Sequence, residues 1–133
     1  MLRWRDALRE EKQLAWLWGV AAASSLLLRP FWLALAPLAP ACPFRAITGI
    51  PCPTCGTTHA AVALLHGDLT AALAANPLAS LAGLAFAVGG LLAPLWAVLK
   101  LQVPELPSPF PLWARFGLLA TLAANWAWVV ARG

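Results

Sequence analysis

The chain is predicted to be an all-α, polytopic membrane protein: three transmembrane helices, two short interfacial or re-entrant helices and a Pro/Cys-rich loop. Three observations predict it. Of its 133 residues 62% are hydrophobic and only 11% charged, where soluble proteins carry about a quarter charged, and the mean hydropathy is +0.77. The apolar residues gather into three runs near the ~20 residues needed to cross hydrocarbon. Most of the 12 prolines fall between those runs, where they forbid regular helix or central strand. One membrane domain spanning residues 1–133 is the expected unit.

Residues 1–13 form a basic tail that holds Arg3, Arg5, Arg9 and Lys12. Its mixed charges suit a short, frayed helix at the membrane surface from Trp4 to Gln13. The basic front resembles a signal peptide. The apolar run behind it is long, rich in Trp and without a small-x-small cleavage site, so a retained anchor is expected. The first span covers residues 14–36: Leu14 to Leu28 is apolar, Arg29-Pro30 interrupts, and Phe31 to Leu35 resumes. A crossing of sufficient length has to pass through or near Arg29, whose side chain then snorkels toward the headgroups beside Trp32. A functional arginine inside the membrane is the rival reading.

Residues 37–76 make the Cys-rich loop and the short helices. Pro37, Pro40, Pro43, Pro51 and Pro53 predict an ordered, extended loop over 37–53. Thr57 to Leu65 reads as a helix closed by Gly67, too short to span. Asp68 reads as the N-cap of a second short helix, Leu69 to Ala75, and Asn76-Pro77 repeats the cap-then-proline opening for the next long helix. The second span, residues 77–99, carries Gly83, Gly89, Gly90 and several alanines, a smooth face against which another helix can pack closely. Pro94 should bend it and Lys100 marks its exit. Residues 100–111 hold four prolines and read as a stiff turn, and residues 112–131 form the third span between Trp113 and Arg115 at one end and Arg132 at the other.

The scattered basic residues read as topology signals rather than as a nucleic-acid surface. The tail, Lys100 and Arg115 share one side in a three-span arrangement, whereas Cys42 to Asn76 contributes only Arg45. The positive-inside rule therefore places the N-terminus in the cytoplasm and the cysteines outside, in the periplasm or at the exterior of a bacterial inner membrane, where disulfides persist.

All three cysteines lie in this loop: Cys42-Pro43-Phe44, then Thr48-Gly49-Ile50-Pro51-Cys52-Pro53-Thr54-Cys55-Gly56-Thr57-Thr58, followed by Leu64-Leu65-His66-Gly67-Asp68-Leu69 and Asn76-Pro77. Read together these elements resemble the bacterial integral membrane proteins grouped as domain of unknown function 2752, over about a third of the chain. The resemblance implies a polytopic membrane protein and no established biochemical role. His59 stands where the family pattern usually carries Arg, so a ligand role for His59 would not be general to the family.

Cys52-Pro53-Thr54-Cys55-Gly56 also looks like the knuckle of rubredoxins and zinc ribbons, in which two sulfurs and nearby amides wrap a metal, although only one knuckle is present. Cys42, Cys52, Cys55 and His59 would supply the four ligands zinc takes, His59 lying one helical turn after Cys55. A redox reading makes Cys55 the nucleophile, because amide dipoles of the helix beginning near Thr57 would stabilise its thiolate, with Cys52 as resolving partner. A plain structural reading has two of the three cysteines joined in a disulfide that staples the loop, with the pairing open. Among the other polar residues, His66 reads as a cap on carbonyls at its helix end, Asn125 as a hydrogen bond between packed helices, and Trp16, Trp18, Trp96, Trp126 and Trp128 as interface anchors and packing groups. No paired carboxylates, phosphate loop or serine triad is present, which leaves hydrolase and nucleotide-binding readings without support.

The sequence thus reads first as a non-catalytic accessory or interaction subunit with a disulfide-stapled exoplasmic loop, its partners being the lipid bilayer and other membrane subunits or a second copy, and not nucleic acid. The alternatives are a thiol-redox or zinc-binding membrane protein and, from Arg29 and Asn125, a component of an oligomeric transporter.

Overall fold

The computed structural model describes residues 4–105, 109 and 111–133. Arg3 of the basic tail and residues 106–108 and 110 of the proline-rich turn lie outside the described residues.

The described residues are helical almost throughout, with one two-residue ladder among them. In chain order come β1 (Trp4–Arg5), α1 (Arg9–Leu27), α2 (Arg29–Leu35) leading into a 3₁₀ turn at Ala36–Leu38, α3 (Pro43–Thr48), α4 (Thr57–His66), α5 (Leu69–Ala75), α6 (Pro77–Val98), β2 (Val103–Pro104) and α7 (Leu112–Arg132). Three helical stretches are long and apolar enough to cross a membrane: Arg29–Thr48, Pro77–Val98 and Leu112–Arg132. The first of these is composite. It joins α2, the 3₁₀ turn and α3 through residues 39–42, which are not helical.

Three expectations need correction. The surface helix at Trp4 to Gln13 is absent: Trp4–Arg5 instead pairs antiparallel with Val103–Pro104, and helix begins at Arg9 and runs straight into the apolar segment. The Arg5 guanidinium grips both Glu11 carboxylate oxygens, at 2.6 and 3.0 Å, and the second of these oxygens also accepts the Leu8 amide at 2.8 Å, so the tail folds back onto the start of α1. The apolar segment at 14–36 is two helices rather than one. Pro30, in the first turn of α2, has no N–H to carry the α1 ladder onward, and the chain restarts after Leu28. Finally, the Pro37 to Pro53 loop contains a helix. Pro43 sits in the first turn of α3, where its missing N–H costs nothing, the residues from Phe44 to Ile50 are free of proline, and Gly49 ends the turn in the left-handed region at φ 74°.

The packing is inverted relative to a soluble globule. The buried residues are small, including Ala15, Ala22, Ala60, Ala72 and Ala97, while the large apolar side chains point outward, Leu27 at 80%, Trp113 at 77% and Leu112 at 68% exposed. In water such a surface would aggregate; in lipid it faces its own solvent.

α1 and α6 lie antiparallel, with Ala15, Gly19 and Ala22 on one side and Gly90, Pro94 and Ala97 on the other. A methyl group at Gly19 would collide with the Pro94 ring, and one at Gly90 would sit 2.5 Å from Ala22 Cβ. Pro94 cannot donate to the Gly90 carbonyl one turn earlier, and that carbonyl faces Gly19, 3.1 Å from where its Cβ would stand. Trp18 closes the seam by lying over Gly89 and Gly90 and donating its indole N–H to the Phe86 carbonyl at 3.0 Å.

The ladder between β1 and β2 ties the amino-terminal tail to the α6–α7 connection. The cysteine loop gathers at the opposite end, where α6 begins and α7 finishes.

Candidate functional site

The site starts from a local shortage of donors. Residues 51–55, Pro-Cys-Pro-Thr-Cys, carry a carbonyl at every position but no N–H at either proline. A buried acceptor without a donor costs about 1–3 kcal/mol, so donors must come from elsewhere. Cys55 N–H turns back to the Cys52 carbonyl at 2.9 Å, and the Thr57 amide and hydroxyl both donate to the Thr54 carbonyl at 3.2 and 2.6 Å. Side chains of distant helices serve the remaining three. Trp126 Nε1 donates to the Pro51 carbonyl at 2.9 Å, Asn76 Nδ2 to those of Pro53 and Cys55 at 3.3 and 3.1 Å, and Asn125 Nδ2 to that of Pro53 at 3.4 Å.

The two asparagines serve α6 with their other ends. Asn76 Oδ1 accepts the Ala79 amide at 3.0 Å as an N-cap, and Asn125 Oδ1 accepts the Leu78 amide at 2.9 Å. Asn76 is 1% and Asn125 7% exposed. The expected cap at Asn76-Pro77 is present, and Asp68 caps α5 by accepting the Ala71 amide at 2.9 Å, which together with the Thr70 hydroxyl holds its carboxyl below the usual carboxylate range. Asn125 does more than join helices, and Trp126 also clamps the loop through its indole N–H. Trp128 likewise donates to the Ala74 carbonyl at 3.2 Å.

This scaffold aims the three sulfurs at one point. Cys42 is the residue before α3 and its carbonyl accepts the Ala46 amide at 3.0 Å, which fixes the direction of its side chain. Cys52 follows buried Pro51, and Cys55 precedes Gly56, the N-cap of α4. Gly56 is obligatory here: its φ is +83°, and a Cβ would lie 2.7 Å from the Ala75 carbonyl oxygen. Cys42 Sγ lies 3.4 Å and Cys55 Sγ 3.3 Å from Cys52 Sγ, and all three lie within 4.8 Å of one another.

All three cysteines are free thiols, so the expected disulfide staple is not formed. The separations of 3.3 and 3.4 Å exceed the ~2.05 Å of a disulfide and lie a few tenths of an ångström inside the spacing of about 3.8 Å that tetrahedral thiolates take around zinc at ~2.3 Å. Among the described residues this is the one cluster with metal-ligand geometry. His59 stays outside it, exposed on α4, although it lines the same groove of about 1190 Å³. Thr58 and His66 line that groove as well, and His66 Nδ1 lies 2.9 Å from the Val62 carbonyl one turn back in the same helix.

The electrostatics reverse the order expected between Cys52 and Cys55. Cys52 is held down to about 6 by the Thr54 hydroxyl at 3.1 Å, then by the Cys55 and Cys42 thiols, with the Thr54 amide adding to them. Cys55 is pushed up to about 11, first by burial and then by the neighbouring sulfurs, although the Cys52 amide donates to it at 3.2 Å. The helix-dipole argument favoured Cys55, but burial and the neighbouring sulfurs outweigh the amide that donates to it. Cys52 is therefore the more acidic of these two thiols. Thr54, which sets this order, was not singled out by the sequence; its place between the two cysteines was the available signal.

Residues 42–90 match the model of the family described as protein of unknown function (DUF2752), the family the motifs resemble. The matched segment runs from the first cysteine through α4 and α5 into α6 and contains the whole thiol cluster. No curated protein and no solved structure matches the chain.

Proposed function

We propose that the protein is a multi-pass membrane protein that holds a thiophilic metal ion, zinc in the first instance, on Cys42, Cys52 and Cys55 at the outer boundary of the lipid. The observation that carries this reading is the convergence of three free sulfurs within 4.8 Å on a loop whose carbonyls are clamped from α6 and α7. A structure needs that rigidity to bring three like-charged thiolates together, and a cation is what offsets their repulsion. A fourth ligand would have to come from the groove beside the thiols, whose wall includes His59.

The membrane arrangement supported best has three crossings: α1 continued by α2, then α6, then α7. The composite stretch Arg29–Thr48 is the weaker candidate for the first, because residues 39–42 lack the helical hydrogen bonds that backbone requires in hydrocarbon. The tail and the α6–α7 connection share one end, and positive-inside bias assigns that end to the cytoplasm of a bacterial inner membrane and the thiols to the outside.

Metal analysis of the purified protein tests the proposal. About one zinc per chain is expected, lost in Cys42→Ser, Cys52→Ser and Cys55→Ser alike, and weakened but not abolished in His59→Ala if His59 fills the fourth place. Protein with no metal and a Cys42–Cys52 disulfide would return the loop to the stapled accessory subunit.

A second reading is favoured by the depressed Cys52 thiol: thiol–disulfide exchange. The Cys52 thiolate would attack a disulfide of another protein and release one of its sulfurs as thiolate, and Cys42, 3.4 Å away, would resolve the mixed disulfide, leaving Cys42 and Cys52 oxidised and the partner reduced. Trapping of a mixed disulfide in Cys42→Ser distinguishes this from metal storage.

A further inference from the structure

Two hollows meet at the base of the thiol loop. One is an apolar cavity of about 540 Å³ between α1, α2, α4 and α6, walled by Leu26, Trp32, Leu65 and Phe86. The other is the groove of about 1190 Å³ beside the thiols, which carries Arg45, Arg132, His59 and His66 against Asp68. Ala36, Thr57, Thr58 and Val62 line both, so the two adjoin at a shared wall; the Thr57 hydroxyl there donates to the Thr54 carbonyl, and Thr58 supplies the other hydroxyl.

We infer that together they form a site for one anionic phospholipid of the surrounding membrane, with an acyl chain in the cavity and the phosphate in the groove beside Arg45 and Arg132. The shape is that of an amphiphile: apolar at one end, hydroxyl-bearing at the waist, cationic at the other. A void with no partner atoms forfeits dispersion contacts along its whole lining, and in a bilayer the available filler is hydrocarbon. Both arginines are partly ordered and keep donors to spare. Arg132 stacks over the Trp128 ring at 4.8 Å, and Arg45 commits one N–H to the Gly133 carbonyl at 3.1 Å, out of five each guanidinium offers. Their planar forks suit phosphate oxygens. A free phosphate would satisfy the groove and leave the cavity unexplained; a lipid accounts for both. The inference rests on the membrane arrangement proposed above and is independent of the metal.

Trp32 in the cavity wall reports on the occupant. The full chain is placed in phosphatidylcholine vesicles doped with a small fraction of either phosphatidylglycerol or phosphatidylcholine brominated on the acyl chains, and the Trp32 signal is taken as the difference from Trp32→Phe. Quenching should be stronger with the anionic lipid, by about fivefold in apparent affinity for each arginine engaged. The preference should vanish in Arg45→Gln/Arg132→Gln, and Ala61→Leu or Ala87→Leu, which fill the cavity, should reduce Trp32 quenching by either lipid. Equal quenching by the two lipids, a preference that survives loss of both arginines, or its complete displacement by inorganic phosphate would each overturn the inference. The zinc content of the arginine variants should match the parent protein, so failure here and failure of the metal reading are separately visible.

Discussion

The seam between α1 and α6 and the seam between α7 and the cysteine loop solve the same problem with opposite chemistry. In the first, Ala15, Gly19 and Ala22 meet Gly90, Pro94 and Ala97 so closely that backbone lies against backbone, and apart from the Trp18–Phe86 hydrogen bond it is shape that holds the pair. In the second, α7 has only Asn125 and Val129 buried and is fastened by hydrogen bonds from Asn125, Trp126 and Trp128. Lipid tails are as apolar as any helix face, so association has to come from tight packing or from polar contacts that lipid cannot replace. The first solution makes the scaffold; the second places the thiols, because the groups that fasten α7 are the donors the proline-rich segment lacks.

The comparison is broken most severely at Gly19. Gly19→Leu should push α1 off Pro94 and cost about 3 kcal/mol or more, seen as loss of monodisperse protein in detergent or a steep fall in its thermal midpoint. Gly117→Leu on α7, where nothing lies within 4 Å of the added Cβ, should leave both unchanged. If the two behave alike, the seam is not what holds α1.

A smaller effect is expected at Asn125. Asn125→Leu keeps the side-chain branching but strands the Leu78 amide and removes a donor from the Pro53 carbonyl, at a cost of about 1–2 kcal/mol in a membrane setting. The helices should still assemble, and the thiol end should loosen, read as faster alkylation of Cys55 and weaker zinc retention with α1 and α6 undisturbed. An Asn125 variant that unfolds altogether would mean the two seams are not separable.

The smallest change sharpens the thiol end alone. In metal-free protein, Cys52 alkylation should rise with pH through a midpoint near 6, and Cys55 should lag until pH approaches about 11. A depressed thiol is the thiolate above its midpoint, so reactivity is gained on raising pH and lost on lowering it. Thr54→Val removes the strongest donor to Cys52 and should move the Cys52 midpoint upward toward that of an ordinary thiol, without altering the fold. Mass spectrometry of alkylated peptides across pH resolves the two cysteines.

Much of the fold was legible because local signals and tertiary structure agree. Asp68 and Asn76 cap the helices they were expected to cap, Gly67 closes α4, and the small residues at Gly83 and Gly90 take close neighbours from α4 and α1. The misreadings share a cause. Residues 14–36 read as one helix broken at Arg29-Pro30, yet only the position of Pro30 against the preceding turn decides between a kink and a restart as a second helix. Pro43 looked like one more helix breaker, but in the first turn of a helix proline is an initiator, and position matters more than density. At the site, the grouping of Cys42, Cys52 and Cys55 was visible in their spacing. Their hierarchy was not, since it depends on which sulfur faces the Thr54 hydroxyl and which sits deeper. Asn125 and Trp126 stand 72 and 75 residues from the carbonyls they serve, and their side of the contact carries no local mark. The absent N–H groups of Pro51 and Pro53 did announce a need for donors.

That need has a consequence for biogenesis. The ribosome delivers the proline-rich loop first and the donors of α7 some seventy residues later, a delay of about 4–15 s at ordinary elongation rates. Through that interval the carbonyls of Pro51 and Pro53 lack their α7 partners and the sulfurs are not yet fixed in register. Docking of α7 is therefore the step that completes the hydrogen bonding of the loop, and a nascent chain halted before Asn125 would lack the α7 donors to the Pro51 and Pro53 carbonyls.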